Sequence, residues 1–210
     1  AAGNILTLVN TGMTQYDTIQ LGSDGTTLQI TTPTGSTSGT SLAVGRWYHL
    51  AYRRSGSIHE LYLDGALDIT RSHANTVTVN NIYVGSLAGT NLVDGRFDRL
   101  IMWSAYLTTP ELAQQRWYAT PIRFANLYGW WPMPPGSPAR IKDWSGNGHD
   151  WTEGGTLTDE DPVPIAWQDR RKWVIPFLNA YILTLSGEVS PAGAVVKTPT
   201  KVLAGGLTPA

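Results

Sequence analysis

Apolar and polar residues alternate in short runs along most of this chain, and turn-forming residues separate the runs. Asn4 to Val9 (NILTLV), Asp17 to Gly22 (DTIQLG) and Thr27 to Thr32 (TLQITT) each read as a strand, because a period of two places every second side chain on one face of a sheet. Ser23-Asp24-Gly25 turns the chain between the second and third runs, and the Pro/Gly/Ser/Thr stretch from Pro33 to Ser41 reads as a loop. In the next stretch Trp47, His49 and Ala51 alternate with Tyr48, Leu50 and Tyr52. After a reversal at RRSGS, Ile58, Glu60 and Tyr62 oppose His59, Leu61 and Leu63. Asp64-Gly65 then predicts a type I′ hairpin turn, whose positive φ angles Asp and Gly tolerate best. Asn81 to Ser86 and Gly95 to Leu107 predict further strands.

The only helical pattern is TTPELAQQRWYA, about 108–119. Thr108 or Thr109 serves as its cap, Pro110 suits the first turn, and Glu111 lies near the positive end of the helix dipole. Beyond it lie NLYGWWPM, the turn-rich KDWSGNGHDW (142–151) and a Pro-punctuated passage from Asp159 to Pro176. Composition supports the same class: the 210 residues include 22 Gly, 13 Pro, nine Trp and nine Tyr, but five Glu. Strand and turn formers outnumber helix formers. The chain is predicted to be all-β.

The last thirty residues change character. Leu185 to Ala192 (LSGEVSPA) is echoed by Leu203 to Ala210 (LAGGLTPA), with Leu, Gly, Pro and Ala in the same places. Two copies are too few for a solenoid. The division expected is a sandwich over 1–176 and an extended, repeat-containing arm over 177–210. The arm either pairs with a neighbouring copy through Leu185, Pro191, Leu203 and Pro209, or lies over its own sandwich.

Charge excludes several partners. The formal net charge is −1 with 15% charged residues, so no basic field for nucleic acid or anionic lipid exists. No apolar run approaches membrane-spanning length. The absence of Cys removes disulfides and thiolate metal sites and leaves the redox compartment open. The opening AAGNILTLVN has no initiating Met and no charged segment ahead of an apolar one, and reads as the interior of a structured protein.

The order GRWYHLAYRRSGSIHELYLDG, IYVGS, DGRFDRLIMWSAYLTTPEL resembles the central part of a laminin-G-like domain of the concanavalin A-like lectin/glucanase jelly rolls. The stretch FANLYGWWPM…IKDWSGNGHDWTEGGT is similar to that family's Y-W-P-L…D-x-S-G-N-G-x-x-G signature, which usually opens the domain and here follows the helix. The resemblance runs from Asn4 to about Asp161. It implies a concanavalin A-like jelly-roll β-sandwich with one short helix, in a permuted order similar to that of tailed-phage and prophage structural proteins. Permutation is physically easy where sandwich termini lie close together.

The resemblance also requires a test for catalysis. Retaining glycosidases need two carboxyls about 5–5.5 Å apart, and the jelly-roll glucanases supply them from an E-x-D-x-(x)-E strand. Glu60, Glu111, Glu153, Glu160 and Glu188 form no such segment, so no catalytic residues are expected. Asp64 to Asp68 and Asp94 to Asp98 each match D-G-x-x-D. They read as hairpin turns whose second Asp pairs with an Arg such as Arg96 or Arg99, ahead of a rim calcium site. The histidines are scattered: His49 and His59 fit cross-strand packing, His73 falls in a loop, and zinc has little support.

The tryptophans divide between packing and binding. Trp47, Trp103 and Trp117 fall in patterned elements and are expected in the core, while Trp144 and Trp151 flank a turn. Sugars stack their C–H faces on aromatic rings while amides and carboxylates hold the hydroxyls, so Trp144, Trp151, Asn147 and Asp143 are the candidate glycan-binding residues. Asp143, Ser145, Asn147 and Asp150 are the candidate calcium ligands, because oxygens alternate before the turn at Gly148 as in the first half of a calcium loop. The match fails at position twelve, Gly154.

Two functions are therefore expected. The first is a non-catalytic module of a phage-like particle surface, as decoration, fibre or tail-associated protein, with other copies of itself or a capsid or tail protein as partners and glycans as ligands. The second is a secreted or cell-surface lectin assisted by calcium. The expected location is the virion surface or the extracellular space.

Overall fold

A computed structural model describes residues 3–74, 78–87, 90–133 and 141–154. The chain divides into two units, Ala1–Trp167 and Gln168–Ala210; the second unit, and with it the whole predicted arm over 177–210 and its Leu185, Pro191, Leu203 and Pro209, lies outside the described residues.

In the first unit, a five-stranded antiparallel sheet has the order β4-β3-β2-β1-β8. Its strands are β1 (Gly3–Val9), β2 (Tyr16–Leu21), β3 (Thr27–Thr32), β4 (Gly35–Ser41) and β8 (Asn81–Val84). A three-stranded sheet holds β5 (Leu50–Ser55), β6 (Ile58–Leu63) and β7 (Ala66–Ser72), and β9 (Leu100–Trp103) pairs with β10 (Leu127–Trp131). The two larger sheets face each other across Ile19, Leu28, Ile30, Leu61 and Ile69, all buried, with Tyr52, Leu50 and Leu63 packed against them. Burying such side chains contributes roughly 1.5–3 kcal/mol each. The β-sandwich expected from the alternation is present.

The Asp64-Gly65 turn has the predicted geometry, with φ of 52° and 87° and Leu63 paired directly with Ala66. The second Asp of each D-G-x-x-D segment is engaged by the protein. Asp98 pairs with Arg99 at 2.5 Å. Asp68 accepts from the Thr40 backbone amide at 3.1 Å and from its hydroxyl at 2.5 Å.

That last contact explains a correction. Residues 35–41, expected as loop, form strand β4 at the edge of the large sheet. Their Ser and Thr hydroxyls bond across to β3, Gln29 to Ser38 at 3.0 Å and Thr27 to Ser41 at 2.9 Å. Asp68 and Arg71 of β7 supply the remaining partners from the opposite sheet. A sequence of small polar residues hides such a strand because its stabilisation lies in its neighbours.

Other boundaries also differ. β5 begins at Leu50, after Trp47, and the expected long strand over 95–107 is reduced to Leu100–Trp103. The helix α1 spans Thr109–Gln115 rather than about 108–119. Its N-cap is Thr108, one of the two expected caps, which forms a capping box with Glu111. It stops early because Gln115 folds back on the following chain, donating to Tyr118 and Thr120 carbonyls at 3.0 Å and accepting from Ile122 N at 2.9 Å. Trp117 is therefore 44% exposed and not in the core, whereas Trp103 packs beside Tyr62, Leu107 and Leu112 on the outer side of the small sheet.

Candidate functional site

β10 and the segment after it form a closely hydrogen-bonded polar structure outside the sandwich core. Along β10, Leu127, Gly129 and Trp131 face inward, while Tyr128 is exposed and Trp130 is half-buried. The strand alternation that sends Trp130 and Trp131 to opposite faces is as the sequence requires. Trp131 is 1% exposed, meets Trp151 edge-on at 5.1 Å, and donates its indole N–H to the His149 carbonyl at 2.8 Å.

The 142–151 segment folds around Asp143. Its Oδ1 accepts from the Trp130 amide at 3.0 Å and the Ser145 amide at 2.8 Å. Its Oδ2 accepts from the Ser145 hydroxyl at 2.8 Å and the His149 amide at 3.0 Å. Burial would raise the pKa of this carboxyl, but the donors from Trp130, Ser145 and His149 outweigh it and hold the pKa below the ordinary value. Asn147 donates to the Leu127 carbonyl at 2.7 Å and the Tyr128 carbonyl at 3.1 Å. The Trp144 amide reaches the Trp130 carbonyl at 2.7 Å, and Trp151 N reaches the Ile141 carbonyl at 2.9 Å. Asp150 takes the Asp143 amide at 2.9 Å and pairs with Lys142. Gly146 and Gly148 hold φ of 88° and 77°, the left-handed values that close the turn.

The structure thus brings all the sequence-nominated residues of this segment together, in different roles. Asp143 and Asn147 point into the clasp and hold backbone groups. Ser145 and Asp150 complete the same network. Trp151 packs on Trp131. Of the four glycan candidates Trp144, 55% exposed, and Asn147 reach the surface, but the Asn147 amide is turned onto the β10 carbonyls. Among the described residues no group of three or more His, Asp or Glu side chains is placed to hold a metal ion.

Around Trp144 the outer face of β10 carries further aromatic surface that the sequence reading did not nominate for binding. Trp144 stands edge-on to Trp130 at 5.8 Å and 71°. Tyr128, two residues earlier on the same face, stacks on His149 at 4.0 Å and 10°. His149 Nδ1 lies 2.7 Å from the Tyr128 carbonyl, so this nitrogen carries the proton and Nε2 is left as the acceptor. Tyr128 and Trp130 are nominated by strand alternation once β10 is recognised; His149 is identified only by the fold of the loop.

Glu60 and Glu111 are spent on structure. Glu60 pairs with Arg53 at 2.6 Å and accepts from Tyr106 at 3.3 Å. Glu111 caps α1 and pairs with Arg123 at 3.0 Å. Among the described residues no helix is long and apolar enough to cross a membrane.

No curated protein matches this sequence. One similar solved structure is the 2.1 Å crystal structure of an S-layer domain-containing protein (residues 221–444) from Clostridium thermocellum ATCC 27405, with 19% identity and a TM-score of 0.31. The match covers 55% of this chain and 63% of that chain, so less than two thirds of that structure's length is spanned. The Laminin_G_3 family model matches residues 3–113, from β1 into α1, and the clasp at 142–151 follows the matched region. That match takes in just over half of the chain, and with the antiparallel sandwich described above it makes this protein a member of the concanavalin A-like lectin/glucanase superfamily.

Proposed function

We propose that this protein is a non-catalytic recognition module displayed on an extracellular or particle surface, and that it binds carbohydrate on the outer face of β10. The observation that carries the reading is the exposed Trp144 ring, braced against Trp130 and set beside the Tyr128–His149 stack. Trp144 makes no large contribution to the core, yet its own amide is bonded to the Trp130 carbonyl, and Asp143 and Asn147 tie the surrounding loop to β10. A rigid, amphipathic aromatic surface with a nearby imidazole acceptor suits the alternating C–H faces and hydroxyls of a sugar. Asp143 and Asn147 act in this reading as positioning residues. Binding relies on Trp144, Trp130 and Tyr128, without calcium.

A glycan array with the intact chain, followed by calorimetry on the best ligand, tests this. Trp144→Ala is expected to weaken binding at least about tenfold, roughly 1.4 kcal/mol, with an unchanged melting temperature because the ring is largely exposed. Binding should survive chelator. Arrays that remain blank with and without chelator would sink the lectin reading.

The sequence echo between Leu185 and Ala210 supports a second element, assembly on a phage-like particle through the arm by strand addition to a sheet edge. The full chain is then expected to self-associate in sedimentation experiments, and a chain ending at residue 176 to remain monomeric. Equal behaviour of the two would remove the arm from assembly.

A further inference from the structure

The second concentration of polar side chains lies inside the sandwich, away from the aromatic face. Cross-strand register pairs Arg54 of β5 with His59 of β6, and His59 with Arg71 of β7. Directly opposed residues of antiparallel strands share a face, so an Arg–His–Arg row crosses the small sheet next to the apolar row Tyr52–Leu61–Ile69. Both rows face the large sheet. His59 is fully buried.

From the large sheet, β2 presents Asp17 to this row. Asp17 Oδ2 accepts from Arg54 at 2.9 Å and from the Tyr52 hydroxyl at 3.2 Å. The Tyr52 oxygen lies 2.7 Å from His59 Nδ1, and Asp17 Oδ1 lies 3.7 Å from the same nitrogen. Arg71 donates to the hydroxyls of Thr32, Thr37 and Thr34 at 3.1, 3.0 and 3.2 Å. His73, also buried, meets the Thr34 hydroxyl through Nδ1 at 2.9 Å and lies 6.0 Å from the His59 ring. Among the described residues, Asp17 Oδ1 and His59 Nε2 are buried without a hydrogen-bond partner.

We propose that the Arg54–His59–Arg71 row and the Asp17–Tyr52 pair form a pH-sensitive latch between the two sheets, closed while His59 is neutral and released when His59 takes a proton. With His59 neutral, the Tyr52 hydroxyl donates to Asp17 and accepts from Nδ1–H, and the row carries two positive charges against Asp17. A proton from solvent then goes to the buried Nε2, and an imidazolium sits between two guanidiniums in a buried row. Like charges directly opposed across strands destabilise a sheet, and the one carboxylate beside the row, Asp17, is already paired with Arg54. Burial holds His59 below its ordinary pKa; Asp17 opposes this and Arg54 adds to it. The sign follows: the unfolded chain binds the proton first as pH falls below about 6.5, so stability is complete above that pH and declines below it.

The test uses the intact chain. A proton NMR titration follows the four histidine rings, and denaturant unfolding is measured from pH 7.5 to 5 for the wild type and His59→Gln. Glutamine keeps a side-chain amide beside Tyr52 and cannot charge. His59 is expected to titrate below a histidine peptide standard. Below about pH 6.5 the wild-type unfolding constant should rise more steeply than that of the variant, by up to about tenfold per pH unit for the one proton. The half-buried His49 and the buried His73 are present in both proteins, so the difference isolates His59. Amide exchange at pH 5 should quicken first in β2, β5 and β6. Equal pH slopes, a His59 titration at or above the standard, or uniform quickening across both sheets would each overturn the latch. If His59→Gln does not fold, the wild-type titration and exchange pattern still decide.

Discussion

Asp143→Ala is expected to destabilise the protein by about 4 kcal/mol, the largest effect of any single substitution in the clasp. The carboxylate holds three backbone amides, from Trp130, Ser145 and His149, and the Ser145 hydroxyl. Its side chain is fully buried. Removing it leaves donors in a site with no other acceptor, and each buried orphan costs roughly 1–3 kcal/mol. Asp143→Asn keeps one acceptor oxygen but turns an NH2 toward one pair of donors, so a loss of about 2 kcal/mol is expected. Equilibrium denaturation at neutral pH measures both. Because the carboxyl is held below its ordinary pKa, its contribution is complete above about pH 4 and disappears as the pH falls further. A loss under 1 kcal/mol for the alanine variant would mean that the 142–151 segment is not held by Asp143. The glycan site would fail with it, because Trp144 is positioned by this clasp.

Gly129→Ala should cost about 3 kcal/mol, the upper end of the usual range for overpacking. A Cβ at this position would lie 2.1 Å from Trp131 Cη2 and 2.5 Å from Cζ2. The indole cannot simply swing away, because it is buried against Trp151 and bonded to the His149 carbonyl. The glycine here is required by space and not by backbone conformation. Gly146→Ala makes the informative comparison: its φ is 88° and no atom lies near its Cβ, so it should lose only about 1 kcal/mol through backbone strain. Thermal and denaturant melts of the two variants separate the causes, and near-UV circular dichroism should change for Gly129→Ala alone. Equal losses in the two proteins would refute the packing argument.

The two halves of the molecule were legible to different degrees. Strands β1, β2, β3 and β6 lie close to where alternation placed them, because each buries one face on a single core and period two records that directly. The Asp64-Gly65 turn was equally plain, since its requirement is local. Strand β4 was not, because Asp68 and Arg71 that support it are distant in sequence. The early end of α1 was hidden for a related reason, the reach of the Gln115 amide past the helix.

Within the candidate site the sequence marked the right segment and mixed its roles. Asp143, Ser145 and Asn147 have the residue types of a calcium loop and of a polar clasp alike, and spacing does not distinguish an oxygen facing a cation from one facing amide protons. Trp144 and Trp151 are equivalent as letters; one is outward and the other packs on Trp131 because only the folded loop assigns them to opposite sides of β10. His59 carried no signal beyond cross-strand packing and His73 was expected in a loop, yet register and sheet facing place them together beside Asp17 and two arginines. Sequence by itself determined the all-β class, the superfamily and the residues that turn the chain, all of which follow from periodicity, local backbone preference and motif order. Which polar groups are spent on structure and which face solvent was decided by tertiary structure, because that depends on partners brought from other strands.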